Sequence, residues 1–169
     1  MIELGTIVIG SIHVLAAVAF VGGAFYADRI MAPVAAKLLE PPVAGRLSQA
    51  TGQRFTILAW TAAVLLILTG LVRAWGRGVL NLDDLLNTSY GNVVLAKIVL
   101  SAVLVFVGIL ILRKAIALSK LAASGPPPPP EMGATQAHLI LYTRVNLTVA
   151  AIIVVLAVAA RVIAPASIT

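Results

Sequence analysis

The sequence predicts an all-α integral membrane protein, an antiparallel four-helix transmembrane bundle with both termini outside. Three observations carry this. Of the 169 residues, 61% are hydrophobic and only 11% charged, where a soluble domain is about half apolar and about a quarter charged. Four apolar runs are each long enough to cross a hydrocarbon core of about 30 Å, which takes about 20 residues as helix. Lysine and arginine fall unevenly on the segments between these runs, and that asymmetry sets orientation. Uninterrupted runs of this length also favour helices over barrel strands, which alternate with period two.

Span one is expected over residues 4–27 and contains a single imidazole, His13. The leader Met1-Ile2-Glu3 lacks a positive charge and the apolar run exceeds a signal-peptide core, so this span is expected to be retained. Residues 30–39 form a short helix, either an extension of span one or an interfacial segment, before Pro41-Pro42 interrupt the loop. Span two, residues 55–75, is uncharged until Arg73. Span three, residues 91–112, contains one amine, Lys97. Residues 113–138 are expected to form a cytoplasmic loop, with Pro126 to Pro130 as a stiff polyproline spacer. Span four, residues 139–164, has Arg144 near its start and Arg161 near its end. The whole chain is expected to be one membrane domain.

Arg29, Lys37, Arg46 and Arg54 lie between spans one and two, and Arg113, Lys114, Lys120 and Arg144 between spans three and four. Only Arg73, Arg77 and Arg161 lie towards the other side, so both long loops are placed in the cytoplasm, as in a multi-pass protein of the cytoplasmic (inner) membrane. The net charge of +6 is then loop charge facing anionic lipid. With 5% aromatic residues, a base-stacking nucleic-acid surface is not expected. The absence of cysteine excludes disulfides, thiolate zinc sites, iron–sulfur clusters and a thiol nucleophile. No serine, histidine and acid share a level as a hydrolytic triad requires.

Ionisable groups at membrane depth are costly and mark candidate sites. Entering from outside at 1.5 Å per residue, His13 lies roughly 12 Å deep and Lys97 roughly 9 Å. Arg73 and Arg161 flank the same level, and no acid within a span offsets the four. Arg73, Arg161 and Lys97 are open to one bland use, snorkelling to headgroups, and His13 to another, a hydrogen bond to a neighbouring helix. The functional use is a site in which His13 ligates a metal or haem iron while the cations hold anionic groups such as propionates. Lys97 would be a second ligand, a propionate partner or a proton carrier. Gly10, Ala17 and Phe20 lie near the His13 face, with Gly22 and Gly23 further on; small residues there permit close packing or leave room for a flat cofactor. Gly70 and Gly108 are expected to serve packing. Copper prefers clustered soft ligands, yet Met1, Met31 and Met132 are scattered, and His138 lies at the opposite face from His13.

Two family resemblances rest on these residues. His13 followed by Gly23-Ala24-Phe25-Tyr26-Ala27-Asp28-Arg29 resembles the first span of HemJ-type protoporphyrinogen oxidases, and Arg144-Val145-Asn146 is similar to their closing Arg-x-x-Asn segment. Arg54-Phe55, Thr69-Gly70 and Thr88-Ser89-Tyr90-Gly91 ahead of Lys97 resemble the copper-resistance protein D (CopD) family. Relative to the HemJ pattern, Phe20 replaces a Trp, Asp28 a Pro and Leu147 an acid. The first resemblance implies a b-type haem or porphyrin site at His13 and Lys97, and with it an oxidoreductase. The second implies copper uptake or handling. The leading expectation is a haem-binding redox protein with His13 as axial ligand and Arg73 and Arg161 on the propionates. The alternatives are a CopD-like copper protein and an accessory subunit of a respiratory or photosynthetic complex. The expected partners are the lipid bilayer and either further copies of the chain or a larger membrane assembly; the electron partner is not specified.

Overall fold

The computed structural model describes residues 2–123 and 130–163, and among these every regular element is helical. Helix α1 (Ile2–Tyr26) passes through a π-helical turn (Ala27–Met31) directly into α2 (Ala32–Leu38). The segment after span one is therefore a continuation of that helix across a π turn. Leu39 and Glu40 are extended, with ψ of 147° and 144°, because the ring of Pro41 pushes the preceding residue out of the helical region. Pro41 and Pro42 then start α3 (Pro41–Gly76), where a missing N–H costs nothing.

Helix α3 ends in a Schellman motif: Gly78 N–H donates to Trp75 O at 2.8 Å and Val79 N–H to Ala74 O at 3.3 Å. Gly78 takes φ +69°, which favours a residue without Cβ. Asn81 caps the short α4 (Leu82–Asn87), accepting from Asp84 N–H at 2.7 Å and donating to Asp84 Oδ2 at 2.6 Å. Thr88 caps α5 (Ser89–Ala123) by accepting from Gly91 N–H at 2.9 Å. Gly91 is where the two helices touch, and a Cβ there would collide with the backbone of Asp84 and Leu85. Helix α6 (Glu131–Ile163) completes the chain. Residues 124–129, which hold most of the proline spacer, lie outside the described residues.

Four helical segments of 33 to 36 residues have the length and apolarity to cross a bilayer. At 1.5 Å per residue each reaches about 50 Å, against a core of about 30 Å. They extend past the expected spans: α5 runs on through Arg113, Lys114 and Lys120, so these cations project on helix. α1 packs along α3 and α5 along α6, giving two hairpins that meet only sparsely, through α1–α6 and α3–α5. The meeting point is built around three alanines: Ala16 of α1, Ala62 of α3 and Ala150 of α6 are buried together with Phe20 of α1, and Leu104 of α5 packs against them. Alanines let backbones approach where no hydrophobic force separates helix from lipid. Large apolar side chains such as Leu15, Ile57, Phe106 and Val155 point outward instead, as lipid requires. A second cluster, Val79, Tyr90 and Ala160, closes the end of the bundle that the loop charges place outside.

Candidate functional site

His13 lies half-buried on α1, three residues beyond Gly10, and faces α3. Its Nδ1 is 2.7 Å from Thr69 Oγ1. Thr69 is buried, and its single hydroxyl proton is directed to the Leu65 carbonyl one turn back, with Leu66 O at 3.4 Å. A hydroxyl that has donated its proton can only accept. The network therefore assigns the proton to Nδ1 of His13, which donates to Thr69, and the Leu66 carbonyl lies beside the same ring. Nε2 is then the unprotonated nitrogen. The Cε1 edge rests against Gly70, where a Cβ would stand 3.5 Å away in ordinary contact.

Arg73 follows Thr69 by one helical turn, and its guanidinium lies over Gly10, with Nη1 3.1 Å from where a Cβ of residue 10 would be. Glycine at position 10 thus admits the arginine head against α1, one turn from His13. Lys97 on α5 is half-buried and lies within electrostatic range of both His13 and Arg73. Arg77 and Arg161 are in turn within range of Arg73. His13, Arg73 and Lys97 thus lie within electrostatic range of one another, and Arg161, exposed, lies within range of Arg73. Among the described residues none of these cations makes an ion pair with an acid. Three participants are not among the expected site residues, though Thr69 and Tyr90 belong to the family-like motifs: Thr69, the partner of His13; Arg77; and Tyr90, which lies near Arg73.

At the opposite end, Asp28 in the π turn pairs with Arg29 at 3.0 Å and with Arg144 of α6 at 3.9 Å. Asp28 Oδ2 and Asn146 Oδ1 are buried without a hydrogen bond among the described residues. His138 stacks on Tyr142, with ring centroids 6.2 Å apart, and takes no part in the His13 site.

The donor set bears on what the site accepts. Among the described residues no three His, Cys, Asp or Glu side chains group as metal ligands. One imidazole among arginines and a lysine does not suit a resident copper centre, which wants several soft ligands. One imidazole with Arg73 and Lys97 in electrostatic range does suit a group that takes one nitrogen ligand and carries anionic arms.

The family model described as copper resistance protein D (CopD) matches residues 49–160. The match runs from α3 to near the end of α6, about two thirds of the chain, and includes Thr69, Arg73 and Lys97 but neither His13 nor Arg161. No curated protein and no solved structure matches. With four helices able to span a bilayer and this match over most of its length, the chain is a multi-pass membrane protein of the CopD family.

Proposed function

We propose that this protein binds a b-type haem, or a porphyrin of like charge, between its two hairpins near the outer face of the cytoplasmic membrane. The observation that supports this reading is His13, whose Nδ1 is tied to Thr69, within a group of cations that pairs with no acid among the described residues. His13 Nε2 would ligate the iron. Arg73 and Arg161 would hold the propionates, and Lys97 would be a propionate partner or second ligand. Thr69 orients the imidazole, as the partners of ligating histidines commonly do. When bound, the group supplies one-electron redox chemistry.

The family match favours a second reading, copper carried as cargo. A single imidazole among cations would hold a copper ion only briefly, which suits passage better than storage. Absorbance and metal analysis of detergent-purified protein separates the two. The haem reading expects a Soret band that is lost in His13→Ala. Protein without pigment, whose membrane copper uptake depends on His13, would replace it with the copper reading.

A further inference from the structure

Beyond the His13 level, a half-open cavity of about 340 Å³ lies at the outer end of the bundle. This is within the range of small-molecule sites, about 300–1,000 Å³. Arg77, Ser89 and Tyr90 contribute polar groups to its wall, and Val79 and Ile163 an apolar side. Tyr90 is only 8% exposed. Its hydroxyl has no hydrogen-bond partner among the described residues and yet remains accessible. A buried phenol normally finds a partner, so an unpartnered one on a cavity wall points to a ligand. Arg77 makes no ion pair among the described residues, and Arg73 lies within electrostatic range of it, adding positive potential. The nearby hydroxyl of Thr88 is committed to its own turn, donating to Asp84 O at 2.6 Å and accepting from Gly91 N–H. Asp84 is the one acid on the wall, and its Oδ2 already accepts from Asn81 at 2.6 Å.

We propose that this cavity binds a phosphate group, with the Arg77 guanidinium and the Tyr90 hydroxyl as donors and the Ser89 hydroxyl alongside. A guanidinium fork fits phosphate oxygens two at a time, and phosphate has acceptors to spare for the phenol. Two sources carry this chemistry: the headgroup of an anionic phospholipid and a free phosphate ion. The apolar side formed by Val79 and Ile163, beside outward-facing apolar helix surface, is what a lipid's glycerol and acyl portions would use.

The test uses the full chain in phosphatidylcholine nanodiscs titrated with phosphatidylglycerol, with retained lipids counted by native mass spectrometry. A second arm measures binding of inorganic phosphate in detergent. Selective retention of phosphatidylglycerol is expected. It should fall about tenfold in Arg77→Gln, the loss of a charged hydrogen bond, and about threefold in Tyr90→Phe, the loss of a neutral one. Arg113→Gln, on the exposed opposite end, should leave it unchanged. Thermal melts confirm that each variant is folded. Arg77-dependent binding of inorganic phosphate without lipid preference assigns the site to the free ion. No preference for phosphatidylglycerol together with no phosphate binding, or binding indifferent to both substitutions, overturns the proposal. His13→Ala should retain the lipid, so this outcome is independent of the haem reading.

Discussion

His13 and Thr69 are joined across α1 and α3 by a hydrogen bond of 2.7 Å in which the threonine accepts, because its own proton is held by the Leu65 carbonyl. The bond selects one tautomer and presents Nε2. Thr69→Val keeps shape and removes the acceptor. We expect ¹⁵N spectra of the variant to show the imidazole proton divided between the two nitrogens, where the parent shows it on Nδ1. Stability should fall by about 1 kcal/mol, the cost of deleting an interhelical hydrogen bond within a membrane. An unchanged tautomer would mean that another group orients the ring.

Gly22 and Gly23 are neighbours in sequence with opposite prospects. A Cβ on Gly22 meets nothing within 4 Å, while one on Gly23 would stand 2.6 Å from Cε2 of Phe55. Gly22→Ala should be neutral or slightly stabilising, since alanine gains helix propensity. Gly23→Ala should cost about 1–3 kcal/mol by overpacking, and a second change, Phe55→Leu, should restore part of it. Equal melting temperatures for the two single variants would show that α1 and α3 do not approach as closely as the Phe55 ring implies.

The α4–α5 elbow offers a sharper steric contrast. At Gly91 the obstacle to a Cβ is the Asp84 carbonyl and Leu85 backbone, which cannot swing aside as a ring can. Gly91→Ala should therefore be more damaging than either Gly23→Ala or Gly78→Ala. At Gly78 nothing stands near, and the penalty is only the left-handed backbone at φ +69°, about 1–2 kcal/mol for alanine. Expression and thermal stability of the Gly91 and Gly78 variants in detergent would rank them. The reverse order would place the strain in the turn before α4.

Much of this is legible in the residues alone. Four apolar runs and a lopsided lysine–arginine count specify a bundle, because lipid leaves a backbone few other choices. Counting residues inward from helix ends selects His13 and Lys97 as a pair, since helical rise is constant, and the two lie within electrostatic range. Side-chain partners are not legible in that way. Thr69-Gly70 carries a family resemblance, yet one threonine in an apolar run does not announce which face it occupies; the His13 hydrogen bond follows from how α1 packs on α3. Arg77 and Tyr90 are hidden for a similar reason, since a Schellman turn and the capped α4 between them decide that they share a cavity wall. Helix ends also outrun the hydrocarbon: the chain beyond each span is free to stay helical in water, and apolarity marks only the immersed part.

Asp28 ties the two hairpins at the end opposite the cavity. Its side chain is 11% exposed, and its two oxygens face Arg29 at 3.0 Å and Arg144 at 3.9 Å. Both arginines are more than half exposed, so each pair is screened from one side, and coupling across α1–α6 should be modest, at most about 1 kcal/mol. The near-buried carboxylate is the sensitive partner, because removing both arginines strands a charge. Arg144→Gln alone should be mild, while Arg29→Gln with Arg144→Gln should lower stability by more than the sum of the single changes. Asp28→Asn, which removes the charge, should relieve most of that excess. A double-mutant cycle by thermal unfolding, repeated at high salt, measures the coupling. If the arginine double variant is strictly additive with Asp28 present, the carboxylate is satisfied by water or headgroups, and the hairpins are held together by apolar packing, at the alanine crossing of Ala16, Ala62 and Ala150 and at the Val79–Tyr90–Ala160 cluster.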